Sequence, residues 1–363
     1  MSTDSVERRP QAGGSTILGT ATAVPEHSLD QESVKRSLRP LLPLPPRRLD
    51  AVMDLFDNAL VEKRFSVLPL AQLTVPRSLS ETMALYRENA VRLGRTVAAD
   101  CLARAGVSAR AVDLVITLSC TGFMIPSLDA YLAQDLNFRP DVRRLPITEL
   151  GCVAGAAALG RAHDFLLGHP DAHVLIVAVE LPTLSFQRDD SSMAQLVSTA
   201  LFGDGAAAVL LTGRRSQPGV ALLDAETHLF PNSLDLLGFD LRDDGLHVVL
   251  AKELPDALRA TFGSVVDRLL ARSGIGRADL ECWAFHPGGR RILVAIEEAL
   301  GLDRTQTQPA WDVLREYGNL SSAAVLFVLE RWMKRHRPRP GAYGLLGAFG
   351  PGLSTELCLL QWN

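Results

Sequence analysis

The sequence predicts an α/β fold made of two pseudo-symmetric halves. Three observations indicate this: internal repeats in a common order, strand-like apolar runs that alternate with helical segments, and a globular composition. Of the 363 residues, 47% are hydrophobic and 21% are charged, which is typical of a folded protein rather than a disordered chain. A chain of this length can form two ordinary domains or one large symmetric unit.

Three blocks of the first half recur in the second half in the same order. They pair LARAGVSARAVD with LARSGIGRAD, ELGCVAGAAAL with EYGNLSSAAVL, and FGDGAAAVLL with FGPGLSTEL. The offsets are 168, 167 and 147 residues, which predicts an insertion in the first half between the second and third blocks. Chance similarity of Ala- and Gly-rich segments is the alternative, and the common order and near-equal first two offsets argue against it.

Apolar periodicity assigns the elements of the first half. Residues 86–105 carry apolar side chains at a helical spacing and precede the strand-like run 114–118. The runs 173–179 and 206–211 suit buried strands, and their alternation with helices predicts a mainly parallel or mixed sheet. Small residues occupy every face of the segment after Cys152, which predicts a central, buried helix.

The second half has a similar order of elements. A strand-like run at 282–285 is followed by a glycine-rich turn and a helix over 291–300. The polar stretch 213–218 lies near the join of the halves. The predicted organisation is a flexible leader over residues 1–14, a first half over 15–220 that carries the nucleophile, and a second half over 221–363.

The composition excludes several classes of protein. A net charge of -4 leaves no basic excess for binding nucleic acid. The leader lacks the apolar region of a secretory signal, and no run approaches the ~18 apolar residues of a membrane span, so we expect a cytoplasmic protein. Five widely spaced cysteines without a CxxC motif argue against a disulfide framework and against a zinc site, so no metal is predicted.

The repeat places Cys152 and Asn319 at equivalent positions, each at the start of a helix. The positive end of a helix dipole favours a cysteine thiolate. His286, which ends a strand and begins a turn, is the candidate base, and as an imidazolium it would lower the pKa of the Cys152 thiol further. His286 and Asn319 can together donate to a thioester oxygen and so form an oxyanion hole.

Each of these three residues also has an ordinary structural explanation. A cysteine among glycines and alanines is usually a small core residue. A single histidine in a loop is usually a surface residue, and an asparagine before a helix is often a plain N-cap. Their joint placement favours the catalytic interpretation.

Seven motifs resemble those of the chalcone synthase-like type III polyketide synthases, and they occur in the family's order. They are LSCTGFMIPSLDA, RLPITELGCVAGAAALGRA, VAVELPTLSF, ALFGDGAAAV, FHPGGRRIL, YGNLSSA and GAFGPGL, within about residues 16 to 363. The resemblance implies a thiolase fold with its two halves layered as αβαβα, assembled as a homodimer. It implies no metal and no bound organic cofactor, because the coenzyme A thioesters are themselves the substrates.

The resemblance also implies a mechanism. Cys152 would take the acyl group of an acyl-CoA starter, and decarboxylation of malonyl-CoA would supply the carbanion that extends it. His286 and Asn319 would stabilise the thioester oxygen and the enolate. Phe202 would separate the coenzyme A tunnel from the pocket as a gatekeeper, with a plain core position as the alternative. The other predicted pocket residues are Cys120, Thr121, Ile125, Pro182, Leu184, Ser185, Val248 and Ser321.

Several positions depart from the plant chalcone synthases. Val248 stands where those enzymes have a second gatekeeper phenylalanine, which widens the passage. Cys120 and Thr121 stand where they have Thr and Ser, which resembles bacterial members. With the small side chain of Ser185, these departures predict an aliphatic, medium- to long-chain acyl-CoA starter and alkylpyrone or alkylresorcinol products. Cys120 is either a second reactive thiol or a residue that only lines the pocket.

The basic residues that usually face coenzyme A are not kept around Asp54 and Asn58. The basic residues that can serve instead are Arg47, Arg48, Lys63 and Arg64. Two other functions remain open: a ketoacyl-acyl carrier protein synthase III-like enzyme that condenses only once, and a non-catalytic thiolase-fold protein that binds acyl-CoA. The intact Cys, His and Asn argue against the second of these.

Overall fold

The computed structural model describes residues 14–214, 217–243 and 245–363, so the predicted leader lies outside the described residues except for Gly14. The strands are β1 (Ser15–Ala23), β2 (His27–Asp30), β3 (Lys63–Ser66), β4 (Leu114–Leu118), β5 (Arg143–Ile147), β6 (His173–Glu180), β7 (Gly205–Thr212), β8 (Val220–Leu229), β9 (Leu237–Arg242), β10 (Gly245–Leu250), β11 (Leu280–Phe285), β12 (Tyr343–Gly350) and β13 (Ser354–Trp362). The helices are α1 (Gln31–Leu38), α2 (Pro46–Asn58), α3 (Leu70–Leu73), α4 (Leu79–Ala105), α5 (Leu128–Asp135), α6 (Ala154–Gly168), α7 (Met193–Leu201), α8 (Leu254–Arg272), α9 (Arg290–Leu300), α10 (Gln308–Tyr317) and α11 (Ala324–Arg331).

Nine strands form one mixed sheet in the order β11-β12-β13-β8-β1-β7-β6-β4-β5. In the first half β4 is parallel to β6, β6 is antiparallel to β7, and β7 is antiparallel to β1. The second half repeats these directions with β11, β12, β13 and β8. The halves join where β1 pairs with β8. The repeated topology confirms two pseudo-symmetric α/β halves, while the boundary at residue 220 stays a prediction.

Helices α6 and α11 form the middle layer. Helix α6 contacts β4 and β6 of the first half and β12 and β13 of the second, and α11 contacts β1, β7, β11 and β12. Their backbones approach closely, since a Cβ on Gly155 would lie 2.3 Å from the Ser322 carbonyl oxygen. This contact explains the small residues after Cys152 and confirms the predicted central helix. Within the described ranges, no helix is long and apolar enough to cross a membrane.

The predicted elements are confirmed, with one boundary shifted. The strand over 114–118 is β4, and the helix expected over 86–105 is the last part of α4, which begins earlier at Leu79. Its start is set by a capping box, in which Ser78 Oγ accepts a hydrogen bond from the Glu81 backbone N–H and Glu81 Oε2 accepts one from the Ser78 backbone N–H. Apolar periodicity misses this start because the first turns are largely exposed.

The predicted equivalence of Cys152 and Asn319 is wrong by three residues. A 3₁₀ turn leads into the central helix in each half, over Gly151–Val153 before α6 and over Ser321–Ala323 before α11. Each turn begins at a residue with positive φ, +58° at Gly151 and +48° at Ser321. The structural counterpart of Cys152 is therefore Ser322, and Asn319 lies before the turn.

The predicted insertion in the first half is confirmed and lies between two paired strands. Residues 181–204 connect β6 to β7 and contain a 3₁₀ turn (Pro182–Ser185) and helix α7, whereas residues 351–353 alone connect β12 to β13. The β9–β10 hairpin of the second half packs on α7 and on the 3₁₀ turn. The insertion and this hairpin lie beside the site described next.

Candidate active site

Cys152, His286 and Asn319 line one cavity with about 560 Å³ of empty space. Cys152 comes from the turn before α6, His286 follows the end of β11, and Asn319 comes before α11. The rest of the wall is mostly apolar and consists of Ser198, Leu201, Phe202, Leu237, Val248, Leu250, Leu254, Leu258, Gly288, Ile292 and Phe349. The two halves thus bring a thiol, an imidazole and a carboxamide to a single apolar cavity.

The His286 side chain is buried, with 2% of its surface exposed. Its backbone N–H donates to the Gly347 carbonyl of β12 at 2.8 Å, which fixes the residue at the end of the sheet. The ring nitrogen Nδ1 has no hydrogen-bond partner among the described residues. Burial lowers the pKa of His286 to about 3, so the ring is neutral at pH 7.

Two hydrogen bonds orient the Asn319 carboxamide. Oδ1 accepts from the Ser321 backbone N–H at 2.8 Å, and Nδ2 donates to the Gly288 carbonyl at 3.3 Å. The backbone of Asn319 is also held, because its N–H donates to Leu201 at 2.8 Å and its carbonyl accepts from Gly203 at 3.1 Å. An amide nitrogen carries two hydrogens, so the second hydrogen on Nδ2 is available to a ligand in the cavity.

The predicted lowering of the Cys152 pKa is wrong for this structure. Burial raises the pKa of the Cys152 thiol to about 12; a bond to Ser321 opposes the rise and the Glu180 carboxylate adds to it. The Ser321 hydroxyl lies 3.6 Å from Sγ. Because His286 is neutral, the thiol lacks the imidazolium that the sequence argument assumed, and burial disfavours the charged thiolate.

A buried carboxylate, Glu180, organises a polar cluster behind Cys152. It accepts from the Thr121 hydroxyl at 2.7 Å, from the Cys120 backbone N–H at 3.2 Å and from the Ser322 hydroxyl. Burial raises the pKa of Glu180. The Ser321 hydroxyl lies 3.1 Å from Cys120 Sγ, so it stands between both cysteines. Burial also raises the pKa of Cys120 well above its usual value.

The sequence argument missed Glu180 and Ser322. The signal for Glu180 was an acidic residue directly after the apolar run 173–179, where a fully buried carboxylate needs several donors to be tolerated.

Phe202 and Val248 stand between the catalytic cavity and a second apolar cavity, because they line both. Pro182 and Ser185 of the insertion also line the second cavity. Its far wall is apolar and is formed by Leu29, Val34, Leu38, Leu70, Leu73 and Phe239.

Five predicted pocket residues line neither of these cavities. Cys120, Thr121 and Ser321 belong to the polar cluster around Glu180. Leu184 is buried and lines a neighbouring polar cavity between the insertion and residues 73–83. Ile125 is 81% exposed. In one copy of the chain, Ile125 therefore lines no part of the catalytic cavity, and a role in a pocket requires a second copy.

The segment that carries Phe202 is held by Arg64, which the sequence analysis offered only as a candidate to face coenzyme A. Arg64 is 2% exposed and donates to the carbonyls of Thr199 at 2.6 Å, Ala200 at 2.8 Å and Phe202 at 3.1 Å. These are the carbonyls at the end of α7, where a cation is favoured by the helix dipole. Burial lowers the pKa of Arg64 to about 10.

Two family models match the chain almost end to end. The model described as chalcone and stilbene synthases, N-terminal domain, matches residues 2–214, and the corresponding C-terminal domain matches residues 221–362. The chain belongs to the chalcone and stilbene synthase family. It is a type III polyketide synthase, an acyltransferase that performs decarboxylative condensation, and the matches favour neither of the two alternative functions.

Relatives of this polyketide synthase include several bacterial enzymes. It is 38% identical to the 1,3,6,8-tetrahydroxynaphthalene synthase of Streptomyces peucetius subsp. caesius, over 96% of this chain and 93% of the relative. It is 33% identical to the phloroglucinol synthase of Pseudomonas fluorescens, over 96% and 99%. The crystal structure of the 1,3,6,8-tetrahydroxynaphthalene synthase of Streptomyces coelicolor superposes with a TM-score of 0.92 at 34% identity, over 96% and 99% of the two chains.

Proposed function

We propose that Cys152 is the acylated nucleophile of this polyketide synthase and that His286 and Asn319 assist it. The single observation that supports this is the shared cavity, in which the thiol, the imidazole and the carboxamide line one mostly apolar wall. Neutral His286 takes the proton of the Cys152 thiol as the sulfur attacks the carbonyl of an acyl-CoA. The tetrahedral intermediate then expels coenzyme A, which leaves as the thiol after it recovers the proton.

Extension uses the same donors. Malonyl-CoA loses carbon dioxide, and the electron pair of the broken bond forms an enolate on the remaining acetyl-CoA. The ring N–H of His286 and the free hydrogen on Asn319 Nδ2 stabilise the enolate oxygen, in an apolar cavity where such hydrogen bonds are strong. The enolate carbon attacks the acyl-Cys152 thioester, which forms the new carbon–carbon bond and releases Cys152 as a thiolate.

The starter class that we propose is an aliphatic, medium- to long-chain acyl-CoA, with alkylpyrone or alkylresorcinol products. The second apolar cavity beyond Phe202 and Val248 supports this, because it gives an alkyl chain a place out of water. A second candidate is an enzyme that uses malonyl units alone, and the relative named 1,3,6,8-tetrahydroxynaphthalene synthase favours it. That product is a hydroxylated aromatic compound without an alkyl chain.

We also propose that the enzyme is a homodimer. The loop before α5 exposes two large apolar side chains, Phe123 at 61% and Ile125 at 81%. An exposed apolar pair on one loop is typical of a surface that another chain covers. In a dimer Ile125 could line the pocket of the partner subunit, which would account for its place among the predicted pocket residues.

The nucleophile is tested by intact-mass spectrometry after incubation with hexanoyl-CoA or lauroyl-CoA. We expect one acyl adduct on the wild-type enzyme, no adduct on Cys152→Ala, and a retained adduct on Cys120→Ser. Loss of the adduct in Cys120→Ser alone would contradict the assignment.

Product analysis with malonyl-CoA and starters of graded length then separates the two starter classes. Alkylated pyrones or resorcinols from the longer starters support the aliphatic class. A product made from malonyl-CoA alone, with every starter ignored, supports the second candidate.

A further inference from the structure

Beside the catalytic cavity lies a larger open one, with about 1280 Å³ of empty space. The two cavities share a wall, since Leu201, Leu250, Leu254, Gly288 and Ile292 line both. Most of the lining of the larger cavity is apolar, from α7, the end of β10 and the start of α8. The larger cavity therefore adjoins the cavity that Cys152 lines.

The basic side chains that line the larger cavity are exposed to solvent. Arg290, Arg291 and Lys252 line it and are exposed. Arg290 Nη1 donates to Asn58 Oδ1 at 3.3 Å, and Arg291 Nη2 donates to the Lys252 carbonyl at 3.4 Å. Among the described residues neither arginine forms an ion pair, while Lys252 approaches only Glu253, at 3.8 Å. Two guanidinium groups thus line the larger cavity without an anionic partner.

The other candidate basic residues do not line the larger cavity. Arg64 is buried and bonded to the carbonyls of α7. Arg47 and Arg48 lie in the first turn of α2, about 16 Å along the helix from Asn58 at its other end. Lys63 lies over the Phe65 ring, 5.8 Å from its centroid. The expectation that one of these four faces the coenzyme A phosphates is not supported.

We propose that Arg290 and Arg291, with Lys252, bind the phosphates of the coenzyme A thioester while its pantetheine arm follows the apolar wall to Cys152. This rests on the proposed use of acyl-CoA and malonyl-CoA. Arginine forms bidentate, charge-assisted hydrogen bonds with phosphate oxygens. The two arginines also begin α9, which no side chain caps, so the positive end of its dipole adds to their charge. The site replaces basic residues that are missing from the end of α2, where Asn58 now orients Arg290.

The test compares three ligands: coenzyme A, 3′-dephospho-coenzyme A, which lacks one phosphate, and pantetheine, which lacks the adenosine and all the phosphates. Calorimetry on the wild-type protein is expected to give tighter binding with each added phosphate. In the variant Arg290→Gln/Arg291→Gln we expect coenzyme A to bind on the order of 10- to 100-fold more weakly, since each arginine–phosphate bond contributes on the order of tenfold. Pantetheine binding is expected to stay unchanged, which also shows that the variant is folded.

The matched control is Arg47→Gln/Arg48→Gln, which removes the same charge from an adjacent, exposed arginine pair. We expect wild-type affinity for all three ligands. The proposal is overturned if the control weakens coenzyme A binding as much as the test variant does. It is also overturned if the test variant binds coenzyme A normally, or if the wild-type protein does not distinguish coenzyme A from pantetheine.

Turnover separates this inference from the proposed reaction. With malonyl-CoA, the test variant is expected to raise KM on the order of 10- to 100-fold with little change in kcat, whereas malonyl-pantetheine is used as well as by the wild type. If Cys152 accepts no acyl group from any thioester, the proposed reaction fails, and the binding experiment still decides the phosphate site. An equal loss with both substrates contradicts the phosphate site alone.

Discussion

The two halves of the molecule share a framework and differ in what they place at its centre. In each half a 3₁₀ turn with a positive φ at its first residue leads into a buried helix. In the first half the second residue of that turn is Cys152, and in the second half it is Ser322, which donates to Glu180. The second half supplies its amide donor from Asn319, before the turn. Equivalent backbone positions therefore carry a nucleophile in one half and a structural hydroxyl in the other.

The halves differ again in the connection that follows the central strand. The first half inserts residues 181–204, which carry Pro182, Ser185 and Phe202, whereas residues 351–353 make a tight turn in the second half. The duplicated sheet positions the reacting groups, and the inserted segment forms much of the wall that a starter meets. In the proposed reaction, catalysis and specificity are thus carried by different parts of the chain.

The largest effect should come from the donor that breaks the symmetry. Asn319→Ala removes one donor to the enolate oxygen, and we expect kcat to fall by about 10²- to 10³-fold. Ser322→Ala, at the counterpart of Cys152, leaves Glu180 short of a donor, so its main effect should be a loss of about 1–3 kcal/mol in the free energy of unfolding. Steady-state kinetics and urea unfolding of both variants measure this difference. A fall in kcat for Ser322→Ala as large as for Asn319→Ala would refute it.

A second prediction concerns the protonation states of Cys152 in the first half and His286 in the second. Because the pKa of Cys152 is raised to about 12 and that of His286 is lowered to about 3, both groups are neutral over the range between these values. The thiolate fraction then rises about tenfold per pH unit below the thiol pKa. We expect the rate of Cys152 alkylation by iodoacetamide, read by mass spectrometry of the Cys152 peptide, to rise continuously from pH 6 to 10. A plateau below pH 8 would instead indicate an imidazolium–thiolate pair.

Local sequence patterns predicted the fold class and some of its elements. Strand β4 was predicted with its bounds, and β6, β7, β11 and α9 were predicted within two residues, because buried strands and amphipathic helices leave a clear periodicity. The β9–β10 hairpin was not predicted, since its strands are only partly buried and much of their surface faces solvent.

The candidate site was predicted in its members but not in its electrostatics or its register. Which residues meet can be read from motifs and from the repeat. How far burial raises the pKa of Cys152 depends on the side chains that enclose it in the fold. The local sequence does not show which side chains these are. The three-residue register error arose because the sequence repeat aligns Gly151 with Gly318. Both glycines have positive φ, but the residue that begins the 3₁₀ turn in the second half is Ser321.

The smallest effect should come from the wall that the insertion and the β9–β10 hairpin form together. Val248→Phe adds a ring between the two apolar cavities, so long-chain starters should lose about tenfold in kcat/KM while acetyl-CoA and malonyl-CoA are nearly unaffected. Leu241→Phe is the matched control, because Leu241 lies on the same hairpin with 71% of its surface exposed. Competition assays with acyl-CoA starters of about two to sixteen carbons measure the change in kcat/KM at each chain length. If Val248→Phe lowers kcat/KM equally for all lengths, the second cavity does not hold the starter chain, and the insertion differs from its counterpart in the other half for another reason.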